Sequence, residues 1–224
     1  MKIYIVRHGE SELNINDGYL DKADCDIEST DKGIEQAKLA GKALSDIIDS
    51  QGKISNNNIK VLVSPYKRAK ETFNTMNKYL NIPDDRIFEE DLLVEHSYGI
   101  FHGTKDFSSN YARYKDEYLQ YNEAERKNGR FFNRKTCGES EFDVVKRAKI
   151  LIESLHREIK EENLKAIILV THHNFIRCFI KAFFRKSMDW YNAENGPDNC
   201  SIQLIEDNVY RGYIHGNKKD NWII

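Results

Sequence analysis

The sequence predicts an α/β protein, a three-layer α/β/α sandwich around a largely parallel central sheet. Three observations carry that prediction. The runs KIYIV at 2–6, IKVLVSP at 59–65 and AIILVTH at 166–172 are apolar almost throughout, as strands buried on both faces are. Amphipathic stretches at helical spacing separate them, and strands that alternate with helices pair in parallel. No internal repeat, and no linker rich in Pro, Gly or Ser, divides the 224 residues, so 1–224 reads as one domain.

Each element has its own signal. After the first strand a long polar loop runs from Gly9 to about Ser29. Thr30 is placed to cap a helix over 31–49, with Ile34, Ala37, Gly41, Leu44 and Ile48 along one face. The second strand stops at Pro65. Residues 67–80 read as a helix with Ala69, Phe73, Met76 and Leu80 inward, and RIFEED at 86–91 as a weak strand. Residues 97–137 break the rhythm. They are aromatic and charged, hold no strong strand, and read as a helical insertion over one edge of the sheet, where such excursions form a lid or specificity wall. DVVKRAKILIESLHREIKEE at 143–162 is the clearest amphipathic helix, with Val144, Ala148, Leu151, Leu155 and Ile159 on one stripe. A helix over about 173–185 follows the most apolar strand, and residues 201–215 form a hairpin turning near Asn208.

Composition removes several classes of function. Lys plus Arg is 34 and Asp plus Glu 36, a formal charge of −2, so there is no basic footprint for nucleic acid. The longest apolar runs are far too short to cross a bilayer, which argues against a membrane protein. The N-terminus is strand-like and lacks the apolar segment and cleavage site of a signal peptide. Cys25, Cys137, Cys178 and Cys200 are scattered with no CxxC pair and read as reduced thiols of a cytoplasmic protein. Nothing in the sequence fixes an oligomeric state.

Three strand ends carry unusual residues. The first delivers Arg7-His8-Gly9-Glu10, the second Ser64-Pro65-Tyr66-Lys67-Arg68, and the central apolar strand Thr171-His172-His173-Asn174. In an open parallel sheet ligands sit beyond the carboxyl ends of the strands, so these sets converge. One cleft then holds two arginines, at least two histidines and two helix N-termini, all suited to a tetrahedral oxyanion. Gly9 is expected to let the backbone approach that ligand. The pair His172-His173 is a poor metal site, because neighbours on an extended chain point apart and no HExxH or carboxylate set accompanies them. No metal or other cofactor is expected.

RHGE after an N-terminal strand, SPYKRAKET, GES at 138–140 and VTHHNFIR after the central strand together resemble the histidine phosphatase superfamily, also called phosphoglycerate-mutase-like. TDKGIEQAKLAGKAL is similar to the entry of the family's first helix, with Ser29-Thr30 where the family usually has Leu-Thr. GRFFNRKTCGESEFDVVKR resembles a subgroup of family phosphatases of poorly defined substrate. The resemblance implies that His8 is the nucleophile, forming a phosphohistidine. It implies a phosphate pocket of Arg7, Arg68 and His172, a proton donor at Glu95, a phosphate contact at Asn14, and a backbone N–H from His173. No stretch between Glu95 and Gly138 resembles the Arg-Arg-Ser-x-x-x-Pro-Pro segment of the mutases, which favours a phosphatase.

Elementary chemistry agrees with these roles. Imidazole attacks only when neutral, and neighbouring arginines disfavour imidazolium. The arginines and His172 can hold the charge spread over the transferring phosphoryl oxygens, with no metal required. Glu95, beside a dianionic ester, takes up a proton to give to the leaving oxygen. Glu89, Glu90 and Asp91 compete for that role. Glu10 reads as structural, and His96 and His102 as polar surface or lid positions. The expected function is a phosphomonoester hydrolase acting on a small-molecule or other phosphomonoester. A phosphoglycerate-type phosphomutase and a non-catalytic phosphate-binding module are the alternatives. Arg113, Arg126, Lys127, Arg130, Arg134 and Lys135 in the insertion are consistent with a multiply anionic ligand or with a solvated face.

Overall fold

The computed structural model describes residues 1–16, 22–50, 58–102 and 113–216. Residues 17–21 of the polar loop and 103–112 of the insertion lie outside it. The chain runs β1 (Lys2–Arg7), α1 (Glu12–Ile15), α2 (Asp31–Ser50), β2 (Ile59–Val63), α3 (Lys67–Leu80), β3 (Ile87–Glu89), α4 (Lys115–Asn128), α5 (Glu141–Glu162), β4 (Ala166–Thr171), α6 (His173–Phe184), α7 (Met188–Ala193), β5 (Ile202–Glu206) and β6 (Val209–His215).

The strands form a six-stranded sheet in the order β3-β2-β4-β1-β5-β6. The first four are mutually parallel, β5 adds antiparallel to β1, and β6 adds antiparallel to β5. Side chains alternate between two cores. Ile3, Ile5, Ile167 and Leu169 pack with α5 and α6, whereas Tyr4, Val6, Ile168 and Val170 pack with α2 and α3. Because both faces are covered, these strands read as unbroken apolar runs. Each fully buried Ile, Leu or Val contributes about 1.5–3 kcal/mol against leaving it in water.

Helix starts follow their caps. Thr30 Oγ1 accepts from the Gly33 N–H at 3.1 Å, as expected. The long helix α5 begins at Glu141, earlier than its apolar pattern shows, because Ser140 Oγ accepts from the Asp143 N–H at 3.2 Å and Asp143 answers the Ser140 N–H at 3.0 Å. The buried stripe of α2 runs through Ala37, Ala40, Leu44 and Ile48, and Ile34 lies only half-buried at its edge. Asp207 and Asn208 both take left-handed conformations, φ 49° and 63°, and close the β5–β6 hairpin at the expected place. The weak strand shrinks to three residues, and α1 and α7 are too short to leave a periodic signal.

Among its described residues the insertion carries the α-helix α4, which has no buried residue. Its Tyr118 and Tyr121 pack against Phe101, ring centroids 5.7 and 5.5 Å apart. Among the described residues no helix is long and apolar enough to cross a membrane.

Candidate active site

Register brings the three strand ends together. Val6 and Val63 both pair with Val170, so β1, β2 and β4 finish level. The residues just beyond them meet. The His8 and His172 rings lie 5.1 Å apart, and Ser64 Oγ sits 2.7 Å from His172 Nε2. Arg7, His8, Asn14, Arg68, Glu95 and His173 line a cavity of about 160 Å³. His172 lies behind it, fully buried against His8.

His8 is fixed as one tautomer. Its Nδ1–H donates to the carbonyl of Gly9 at 2.7 Å, which leaves the Nε2 lone pair free. Arg68 Nε approaches that lone pair at 3.4 Å. Burial, then Arg68 and Arg7, holds the imidazole well below its usual pKa, so it stays neutral. Gly9 also admits the start of α2, since a Cβ there would lie 2.4 Å from the Gly33 carbonyl oxygen.

His172 is oriented by Ser64. The serine oxygen accepts from the Tyr66 N–H, so its hydroxyl proton is available to His172 Nε2. A neutral His172 then carries its proton on Nδ1, a buried atom with no partner among the described residues. Arg7 Nε is a second such buried donor, while Arg7 Nη1 is anchored on the Pro197 carbonyl at 2.8 Å. Both belong to residues next to His8, Arg7 in the chain and His172 through its ring, and an oxyanion is a group that satisfies such donors.

Arg68 is almost wholly buried at 1% exposure, and its Nη1 reaches both the carbonyl and the carboxylate of Asp24, at 2.6 and 2.9 Å. Asp24 lines the cavity and was not legible in the sequence. Its charge opposes an incoming anion and competes for the arginine. Asp24→Asn is therefore expected to lower the inhibition constant for vanadate by about tenfold, the effect of about 1.4 kcal/mol. Weaker vanadate binding in the folded variant would show instead that Asp24 is needed to aim Arg68.

Glu95 is held by the N-terminus of α6. Its carboxylate accepts from the N–H groups of His96, Phe175 and Asn174 at 2.8, 3.1 and 3.1 Å. The helix end expected to face the ligand is thus largely occupied, although the His173 N–H has no partner among the described residues. The loop carrying Glu95 is pinned from α5. Arg147 donates to the carbonyls of Leu92 and Glu95 and pairs with Glu139 at 2.9 Å, and Glu139 accepts from the Ser97 N–H. The GES segment therefore positions the Glu95 loop as well as opening a helix. His96 is fully buried, not a surface residue, with Nε2 on the Glu139 carbonyl.

Asn14 and His173 complete the wall. Asn14 Oδ1 accepts from Ser11 and from Asn199, which leaves its Nδ2 as the donor for a ligand. His173 Nδ1 bonds the Pro197 carbonyl at 3.2 Å, so His172 and His173 turn to different partners. Burial, with Arg7 and Arg177 nearby, lowers His173 to about 4. His102, expected at the surface or lid, lines the cavity and faces the Lys22 carbonyl. Glu10 is structural, bound to Thr30 and Lys32.

These buried neutral histidines tie stability to pH. In the unfolded chain each takes up a proton near pH 6.5, whereas the folded values lie lower. Their contribution is complete above about pH 6.5 and is lost as pH falls below it, at up to about 1.4 kcal/mol per pH unit for each of His8 and His172. Urea unfolding at pH 7.5 and 5.5 should show that fall. Equal stability at both would mean that the rings are charged in the folded protein.

Comparison with known proteins agrees with this geometry. "Phosphoglycerate mutase-like protein AT74" of Arabidopsis thaliana is 29% identical over 92% of this chain, which spans 64% of that protein. Human 6-phosphofructo-2-kinase/fructose-2,6-bisphosphatase 1 is 29% identical over 98% of this chain and 42% of its own length. The alpha-ribazole phosphatase of Shigella flexneri shares the fold with a TM-score of 0.70 at 19% identity, covering 94% of this chain and 93% of that one. Mycobacterial glucosyl-3-phosphoglycerate phosphatase gives 0.68 at 20% identity over 91% and 88%. Residues 3–216 match a single family, and the chain belongs to the histidine phosphatase superfamily, branch 1.

Proposed function

We propose that the protein is a metal-independent phosphomonoesterase working through a phosphohistidine on His8. The observation that carries this reading is the His8 tautomer, with its Nε2 lone pair free of the backbone and 3.4 Å from Arg68 Nε, while neighbouring Arg7 and the His172 ring packed against His8 each hold a buried nitrogen without a partner among the described residues. In the first step His8 Nε2 attacks phosphorus and the ester P–O bond breaks. Arg7, Arg68 and the Nδ1–H of His172 hold the three phosphoryl oxygens. Glu95 gives its proton to the leaving oxygen, releasing the alcohol. Water then attacks the phosphohistidine, Glu95 takes a proton from it, and phosphate leaves. Nitrogen-borne cations supply the positive charge throughout.

The leaving group extends toward the insertion. Tyr98 lines the catalytic cavity and also a second one of about 340 Å³, lined further by Tyr121, Glu125, Arg130 and Lys135, with Arg130 paired to Glu141 at 2.8 Å. Lys135 is buried at 5% exposure and has no carboxylate ion pair among the described residues. A substrate with a second anionic group fits that side, and the names of two relatives, fructose-2,6-bisphosphatase and glucosyl-3-phosphoglycerate phosphatase, describe such esters.

Phosphate release across sugar phosphates, sugar bisphosphates, nucleotides, inositol phosphates and phosphopeptides tests the reading. Chelators should leave the rate unchanged, and vanadate should compete with the ester. A strict need for added magnesium or zinc would overturn the arginine-based mechanism. Stimulation by a bisphosphorylated sugar acid, with transfer outrunning hydrolysis, would identify a mutase instead. Phosphate binding without a phosphoenzyme would identify a binding module.

A further inference from the structure

A second concave site lies between α5, α6 and the chain leading into α5, and the catalytic chemistry does not use it. It is an open hollow of about 320 Å³, within the size range of small-molecule pockets. Its apolar side is aromatic. Phe131 is buried at 5% exposure, and Phe132 and Phe142 flank it with ring centroids 4.9 and 6.2 Å away. Phe132 and Phe142 are themselves 58% and 41% exposed, an unusual amount of aromatic surface to leave in water.

The rim is cationic. Lys149, Lys181, Arg185 and Lys186 line the same cavity, and no carboxylate does among the described residues. None of the four has an ion pair there, whereas Lys146 and Arg147 of α5 are paired with Asp143 and Glu139. Lys181 is drawn partly inward, its Nζ 5.3 Å from the centre of the Phe131 ring and donating to the Lys186 carbonyl. Gathering like charges around an apolar hollow is unfavourable in the free protein. An anion removes that cost.

We infer that this cavity binds an amphiphilic anion, an acyl or aryl group ending in a carboxylate or phosphate, with the apolar part on the three phenylalanines and the charge among the four cations. The concave shape and the buried Phe131 fit a single ligand chain better than a flat bilayer. The site is linked covalently to the insertion, since Phe131 and Phe132 lie between Arg130 and Lys135 of the second cavity.

Decanoate is the probe. Titration calorimetry on the full chain, with the catalytic cavity held by saturating vanadate, should show saturable one-to-one binding. Decanol and decylammonium should show none. The double substitution Lys149→Glu and Arg185→Glu, at two exposed positions, should weaken decanoate by about tenfold or more. Phe132→Ser, also exposed, should weaken it while leaving the circular dichroism spectrum unchanged. No saturable binding, equal binding by the charge-reversed protein, or displacement by vanadate would overturn the assignment. So would co-sedimentation with phosphatidylglycerol vesicles without binding of free decanoate, which would make the patch a membrane contact.

Discussion

His8→Ala is expected to stay folded while losing turnover and phosphoenzyme together, by on the order of 10⁴-fold or more. The loss is large because no other group can replace the nucleophile. His172 presents Nε2 to Ser64 and lies behind the cavity, and His173 is tied through Nδ1 to Pro197. The fold should survive because the removed ring carries little structure. It makes two hydrogen bonds, Nδ1–H to its neighbour's carbonyl and a long one from Arg68 Nε, and stays uncharged in a site that disfavours its protonation. The backbone contacts of residue 8 remain, namely its N–H to the Thr171 carbonyl at 2.9 Å and its carbonyl to Asn199. The cost in stability should be about 1 kcal/mol. Rapid quench with labelled ester, read for acid-labile phosphate on the protein, separates the steps. Near-normal phosphate release by the folded variant would end the covalent mechanism.

Much of this site was legible because strands report their own ends. Arg7-His8, Arg68 and His172 follow apolar runs of unmistakable burial, and the rule that ligands gather at strand C-termini brings them together from the sequence. What escaped the reading comes from loops. Asp24, Pro197 and Asn199 reach the site through turns whose paths no periodicity encodes. Ser64 stood in view at the end of β2, but its bond to His172 depends on β2 and β4 being neighbours, which strand order in the sequence does not state. Gly9 shows in the sequence that something approaches closely, and only the packing of α2 shows that Gly33 is such a neighbour. His96 reads as a surface position because its neighbours are polar. Its burial comes from the Glu139 segment folding over it.

Glu95→Gln tests the second step of the chemistry, and the structure changes what the variant should do. In the wild type the two carboxylate oxygens accept three backbone N–H groups, so Glu95 also caps α6. Glutamine keeps one oxygen for His96 and Phe175 but turns an NH₂ toward the Asn174 N–H, two donors facing each other. That costs about 1–3 kcal/mol and should appear as a lower midpoint in urea, equally for every substrate. The chemical effect is not equal. An alkyl phosphate leaves as a strongly basic alkoxide, and a positioned acid is worth about 10²–10⁴-fold there. A nitrophenyl phosphate leaves as a weakly basic phenolate and needs little help. The phosphorylation burst should therefore collapse on alkyl esters and fall far less on the aryl ester. Steady-state nitrophenyl turnover should still drop, because the water that attacks phosphohistidine has lost its base, and phosphoenzyme should accumulate. A displaced α6 cap would instead slow both bursts alike, since it moves His173 and the pocket wall without regard to the leaving group. Equal burst losses on the two esters would thus assign Glu95 to positioning alone and send the search for the acid to Asp24, the other carboxylate lining the cavity.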